Sequence, residues 1–237
     1  MAKIISIMNP KGGVGRTNIA INLSMMLSAL GKKILLVDLC PQGDATYCLG
    51  IKNSPNFIGD ILLQKVRPGV VVKSTPYFGF NIIPSFNKLN ETIKDLKGVK
   101  KPEFRLKKGL EDLKEEYDLI IIDTPSGNNI LNKSAIVASD EIMVPVQCCS
   151  LCLKQVLEFI KGMKNVSIVF TMYGWRSKLS RKIVKETRDS FKGFIYNTLI
   201  PRAEILGEIT KPIFKELPNS RVARAYKQLA EEVINKK

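Results

Sequence analysis

The feature that most constrains this chain is a glycine-rich turn set between two different hydrophobic patterns. Residues 4–8 (IISIM) are a short β-branched run, residues 9–17 read NPKGGVGRT, and from Ile19 onward apolar residues recur at helical spacing. Strand, glycine turn and helix in that order bring successive backbone N–H groups and a helix N-terminus to one point, which suits a phosphate. Gly12, Gly13 and Gly15 let the backbone make the turn. Lys11 and Arg16 add positive charge, and the Thr17 hydroxyl is placed to ligate Mg²⁺ beside a triphosphate. Lys11, Gly12, Gly13, Val14, Gly15, Arg16, Thr17 and Asn18 are therefore the expected nucleotide contacts. Against the general Walker pattern, Pro10 stands where the first glycine belongs and Arg16 where the lysine belongs.

Further strands are predicted at residues 34–39, 80–83, 119–122, 141–146, 166–171 and 194–200, from short runs rich in Ile, Val, Leu and Phe. Between them, Ile19, Ala20, Leu23, Leu27 and Leu30 mark a helix ending at Gly31, and residues 103–116, 149–163 and 178–192 read as helices. Val222, Ala225, Tyr226, Leu229 and Val233 share one face of a final helix begun by Ser220. Near-continuous apolar strands alternating with helices predict an α/β fold, a mainly parallel twisted sheet with helices on both faces. One domain over residues 1–237 is expected. The lysine-rich stretch 84–114 reads as a surface excursion with a solvated helical face.

Lys and Arg together number 37 against 22 Asp and Glu, a formal charge of +15, so the surface should attract a polyanion, nucleic acid first. The chain has no histidine, which removes the usual general base and the usual zinc ligand. Five cysteines, three of them at 148, 149 and 152, do not spread as a disulfide framework would, and reduced thiols are expected. No apolar run is long enough to cross a bilayer and no leader pattern precedes the first strand. The expected location is the cytoplasm, on nucleoid or plasmid, with no membrane partner.

The segment KGGVGRT resembles the deviant Walker A motif of the ParA/MinD family of P-loop ATPases. The resemblance continues through VDLCPQGDAT (37–46), IIIDTPSG (120–127), VPVQC (144–148), TMYGWRSKLSRKIVKE (171–186) and IPRAEILGEITKPI (200–213), in family order, and favours the ParA/Soj branch. It implies ATP and Mg²⁺ as ligands and a homodimer formed on ATP binding, in which Lys11 reaches the nucleotide of the other subunit. It implies that Asp123 holds Mg²⁺ through water, that Asp38 orders that shell with Thr17, and that Pro201 and Arg202 wrap the adenine. It also implies non-specific DNA binding and a ParB-like partner that triggers hydrolysis. Arg176 matches a DNA-contact arginine, another such position carries Ile205, and Lys178, Arg181, Lys182, Lys185 and Arg188 follow as candidate phosphate contacts.

Two departures change the expected chemistry. Cys40 replaces the family's second aspartate, the one assigned to the attacking water; a neutral thiol positions water poorly, so hydrolysis is expected to be slow or absent. With Lys11 and Asp38 it completes the candidate catalytic set. Arg16 keeps the charge of a lysine in a bulkier planar group, so altered ATP affinity is expected. Asp44, four residues after Cys40, is a further carboxylate of unassigned direction. Three other readings stay open: a non-hydrolysing ATP-dependent DNA-binding scaffold, a MinD-like positioning ATPase, and an iron–sulfur carrier of the Mrp type suggested by the spacing of Cys149 and Cys152.

Overall fold

In the computed structural model, residues 1–202 and 212–236 are described. Eight strands form one sheet: β1 (Lys3–Ile7), β2 (Ile34–Asp38), β3 (Lys73–Ser74), β4 (Phe80–Ile83), β5 (Leu119–Asp123), β6 (Glu141–Gln147), β7 (Val166–Tyr173) and β8 (Phe194–Pro201). Their order across the sheet is β3-β4-β2-β5-β1-β6-β7-β8, and only β3 runs antiparallel, against β4. The seven strands predicted from apolar runs lie within two residues of those positions; the two-residue β3 carries no apolar run and was not predicted. The central strands β1, β2 and β5 are buried along almost their whole length, as strands covered on both faces must be.

One face is covered by α1 (Arg16–Ala29), α2 (Asp44–Cys48) and the last described helix, Arg221–Asn235. On the other lie α3 (Ile58–Leu62), α4 (Pro68–Val71), α5 (Leu89–Asp95), α6 (Arg105–Glu111), α7 (Ile130–Ala138) and α8 (Ser150–Phe159), with α9 (Lys178–Ser190) beside them. Ser220 caps the final helix by accepting from the Ala223 N–H at 3.0 Å, as its sequence position predicts. The expected amphipathic character of α1 needs correction: residues 19–28 are buried all round, because the final helix lies over the side that spacing left for solvent. Its Asn22 carries a structural load there, accepting from the Ile213 N–H at 2.7 Å.

The lysine-rich stretch also departs from expectation. It is not only a solvated excursion, since Leu89, Leu96, Leu106, Leu110 and Leu113 from it are all buried against the sheet. Lysines dominate its composition, yet five leucines at helical intervals supply the apolar face that holds it down.

No helix among the described residues is long and apolar enough to cross a membrane.

Candidate functional site

The site lies at the carboxyl ends of β1, β2 and β5, where ligands of open parallel sheets collect. Register decides what meets there: Asp38 pairs with Asp123 across β2 and β5, and Ile7 pairs with Asp123 across β1 and β5. The two carboxylates thus end adjacent strands at one level, and the loop leaving β1 rises beside them.

That loop is built on neighbours. Asn9 is buried; its amide donates to the Pro145 carbonyl at 2.7 Å while its Oδ1 accepts from the Lys11 N–H at 2.9 Å. The Gly127 N–H donates to the Pro10 carbonyl at 3.0 Å, and the Thr171 hydroxyl donates to the Val14 carbonyl at 3.0 Å. Gly13 and Gly15 take φ of 73° and 93°, and Gly15 immediately precedes α1 in left-handed geometry. A β-carbon at either would meet no atom within 4 Å, so it is backbone conformation that demands glycine, and the cradle stays open.

A cavity of about 590 Å³ runs from Gly13 to Asn18 past Asp44, Gln147, Thr171 and Met172 to Ile200, Pro201, Arg202 and Tyr226. Pro201 and Arg202, distant in sequence, come to the far wall. A larger hollow, about 1220 Å³ between β8 and the final helix, also touches Pro201 but has no glycine cradle. The smaller cavity is the one with the chemistry of a phosphate site.

Asp38 and Asp123 are fully buried and differently treated. Asp38 accepts from the Cys40 N–H at 3.0 Å, the Thr46 N–H at 2.9 Å and the Thr46 hydroxyl at 2.7 Å. Burial lifts its carboxyl to about 6 despite those hydrogen bonds, which pull it down. Asp123 has neither oxygen paired. Burial and the Asp38 charge push it up to about 7, while the nearby Thr17 hydroxyl, Arg16 and the Cys40 thiol offset part of the rise. A buried carboxylate with both oxygens unpaired lacks a cation or donor, and Thr17 is the neutral oxygen beside it. This donor set fits Mg²⁺, a hard cation that takes one or two carboxylates, a hydroxyl and waters.

Cys40 completes a buried cluster: its sulfur and the carboxylate oxygens of Asp38 and Asp123 lie within 4.8 Å of one another. Burial, then the charges of Asp123 and Asp38, push the thiol up, so it is neutral at any physiological pH. Its side chain is 6% exposed, and the sulfur lies 3.8 Å from the Asp123 carbonyl oxygen.

Arg16 departs from the expected phosphate-facing pose. Its Nη1 donates to the carbonyls of Asn9 at 2.5 Å and Lys11 at 2.6 Å, and its Nε to the Thr124 carbonyl at 2.9 Å. The planar fork finds three acceptors on the loop itself, which sequence spacing could not reveal. Arg16→Ala strands those acceptors, and the nucleotide-free protein is expected to lose ~1–3 kcal/mol, a fall of several degrees in melting temperature by differential scanning fluorimetry. Arg16→Lys should recover part of it.

The remaining candidates divide. Lys11 is exposed at the loop mouth, its Nζ donating to Cys152 Sγ at 3.2 Å. Arg176, Lys178, Arg181, Lys182, Lys185 and Arg188 are all exposed, and the five on α9 share the face opposite Ser180, Ile183, Val184 and Thr187, which are buried. Only Lys182 among them is in an ion pair on the described surface, with Glu186 at 3.6 Å. Ile205 falls outside the described residues. The expectation of reduced thiols throughout is overturned: Cys149 and Cys152 form a disulfide. Helix α8 begins at Ser150, so a sulfur at the capping position and one three residues on lie on the same side of the first turn.

A glycine cradle at a helix N-terminus, an adjacent pair of strand-end carboxylates and a nucleoside-sized cavity define a P-loop nucleotide-binding protein of the α/β class. The family model described as an AAA domain matches residues 2–171. The chain is 35% identical to the sporulation initiation inhibitor protein Soj of Bacillus subtilis, over 98% of both chains. It is 34% identical to the chromosome-partitioning ATPase Soj of Treponema pallidum, over 99% of this chain and 98% of that one. Its fold is similar to the septum site-determining protein MinD of Pyrococcus horikoshii, solved with Mg-ADP, with a TM-score of 0.81 and 25% identity over 98% and 96% of the two chains. The chain belongs to the ParA/MinD family of P-loop ATPases.

Proposed function

We propose that this chain is a ParA-type partition protein: it binds ATP and Mg²⁺, pairs with a second copy across the nucleotide, and holds DNA without sequence preference until a ParB-like partner releases it. The observation that carries the reading is Asp123, buried with two unpaired oxygens at the end of the strand beside the glycine cradle. The names of the Soj relatives, one a chromosome-partitioning ATPase, support the partition role. One nucleotide-binding domain over residues 1–237 accounts for the single continuous sheet.

In this reading Gly12, Gly13, Val14, Gly15, Thr17 and Asn18 offer backbone amides to the phosphates, and Arg16 turns from the loop carbonyls toward the β- and γ-phosphates. Pro201 and Arg202 bound the base. Thr17 and Asp123 hold Mg²⁺, with Asp38 ordering the site through Cys40 and Thr46. Bound Mg²⁺ neutralises phosphate charge; the chain's part is to orient the triphosphate and exclude water. Lys11 extends to the nucleotide of the second copy. Cys40, neutral and buried, gives the attacking water no strong acceptor, so turnover is slow.

Isothermal titration tests the core of this. Saturable ATP binding that requires Mg²⁺ is expected, with altered affinity in Arg16→Lys; no binding by either protein would end the nucleotide reading. Dimer formation on ATP addition is read by light scattering, and Lys11→Met should abolish it.

The DNA reading rests on the one-sided basic face of α9. Affinity for a random duplex should fall steeply with salt, the log–log slope losing about one for each phosphate contact removed. Replacing Arg181, Lys182 and Lys185 by glutamate is expected to weaken binding at ~0.1 M salt by at least about tenfold and flatten the slope. An unchanged slope would move the DNA surface elsewhere.

Partition is favoured over a MinD-like role by the chromosome-partitioning Soj relative, 34% identical over 99% of this chain. Cys149 and Cys152 are bonded to each other in this structure, and purified protein without iron or a visible chromophore would set the iron–sulfur reading aside. A non-hydrolysing scaffold differs only in turnover, and phosphate release by the wild-type chain with DNA and partner present separates the two.

A further inference from the structure

At the mouth of the phosphate loop the Lys11 ammonium touches a sulfur: Nζ to Cys152 Sγ is 3.2 Å. Cys152 is in turn bonded to Cys149, the capping residue of α8. Nothing in nucleotide binding requires these sulfurs. We propose that Cys149 and Cys152 are a reversible dithiol–disulfide couple, and that its state sets how freely Lys11 reaches a phosphate; this second part rests on the nucleotide reading above.

The geometry suits exchange. The two Cα atoms are 5.3 Å apart, inside the span a disulfide bridges without moving backbone. Access is unequal: Cys152 is 2% exposed whereas Cys149 is partly exposed, so an incoming reagent meets Cys149 first. Each sulfur has a donor beside it, and Cys152 Sγ also lies 3.6 Å from Gln147 Oε1. Cys149 Sγ accepts from the Cys152 N–H at 3.2 Å at the start of a ten-residue helix, no acidic residue occupies that helix's first turn, and the Lys11 ammonium faces the second sulfur. The other three cysteines lack all of this. Burial pushes the Cys148 thiol up to about 11, and burial followed by carboxylate charge raises Cys40 and Cys48 as well.

Oxidation takes a low-molecular-weight disulfide as electron acceptor. The Cys149 thiolate attacks one of its sulfurs, breaking that S–S bond, leaving a mixed disulfide and releasing one small thiol. The Cys152 thiolate then attacks Cys149 Sγ and expels the second. Two electrons pass from the protein sulfurs, one S–S bond replaces another, and the two cysteine protons end on the two released thiols. Reduction by small thiols is the reverse.

Reduced, a thiolate beside Lys11 forms an ion pair that keeps the ammonium against α8. Oxidised, a neutral sulfur is a weak acceptor and the full charge is available to a nucleotide. A partly exposed ion pair is worth up to ~1 kcal/mol, so ATP affinity or ATP-driven pairing should be about fivefold stronger in the oxidised protein.

The full chain is equilibrated across mixtures of reduced and oxidised glutathione, quenched with iodoacetamide and read by peptide mass spectrometry. Cys149 and Cys152 should lose label together and regain it on reduction, while the labelling of Cys40, Cys48 and Cys148 stays constant. In the reduced chain Lys11→Met should slow alkylation at the pair about threefold or more. A pair that never oxidises overturns the couple whatever the protein binds, and a Lys11→Met chain alkylated at the wild-type rate overturns its link to Lys11. ATP titration of oxidised and reduced wild type then tests the coupling, with Cys149→Ser, which keeps an oxygen at the cap, expected to lose the redox difference. Equal affinities together with equal ATP-driven pairing by light scattering, in a chain whose pair does oxidise, overturn the coupling. Absence of ATP binding in both states instead counts against the nucleotide reading and, with it, the coupling, leaving the couple to stand or fall on the labelling.

Discussion

Cys40→Asp is expected to raise ATP turnover by on the order of 10²-fold or more, measured as phosphate release at saturating Mg-ATP with DNA and partner present. Cys40 stands two residues after the end of β2, and its N–H donates to Asp38 at 3.0 Å. Its sulfur shares a small volume with the oxygens of Asp38 and Asp123. Burial among carboxylates keeps that thiol protonated, which leaves a weak acceptor where water must be oriented. An aspartate there supplies a strong acceptor on the same backbone tether. It also adds a third acid to a buried pair, so without Mg²⁺ the variant should melt below wild type, and Mg-ATP should close that gap. If turnover stays at the wild-type level in Cys40→Asp and rises only when Arg16→Lys is added, the impediment belongs to the arginine.

Asp123→Asn should have two opposite large effects: loss of at least ~10²-fold in Mg²⁺-dependent nucleotide affinity, and a more stable nucleotide-free protein at neutral pH. The second follows from linkage. In the folded chain the Asp123 carboxyl sits at about 7, against an ordinary value of 3.8. Between those values the folded state holds a proton that the unfolded chain has released, so the group's contribution to stability falls as pH rises from about 4 to about 7 and stays low above. Asp38, at about 6, acts in the same direction over a narrower window. Asparagine has no charge to bury. The melting-temperature gap between variant and wild type should therefore be small at pH 4.5 and widen toward pH 8 to ~5 °C or more without Mg²⁺. A gap that is constant across pH, or that narrows, would mean that Asp123 is not the strained acid described here.

The candidate site was legible in parts whose order along the chain encodes their geometry. Strand, Gly12-Gly13-Val14-Gly15 and helix are contiguous, so the cradle could be read directly. Asp38 and Asp123 close apolar runs, which puts them at strand ends wherever the strands lie. What could not be read was which donors each would meet. Thr46 satisfies Asp38 because α2 folds back over β2, while nothing comparable reaches Asp123. Helix α7 was missed for a related reason: its capping residue Asn129, whose Oδ1 accepts from the Asn132 N–H at 3.0 Å, sits in a polar stretch with weak periodicity.

Local pattern alone determined the alternation of buried strands with helices, the turn that demands glycine, the charge of α9 and the thiol where a carboxylate is usual. Each depends on neighbours in sequence or on side-chain chemistry, which one dimension carries in full. Tertiary structure decided that Arg16 would grip the loop's own carbonyls, that Asp123 would be left without a partner, and that Lys11 would meet Cys152 from 141 residues away. Those outcomes turn on strand order and register, and on distances of a few tenths of an ångström between groups that no sequence interval relates.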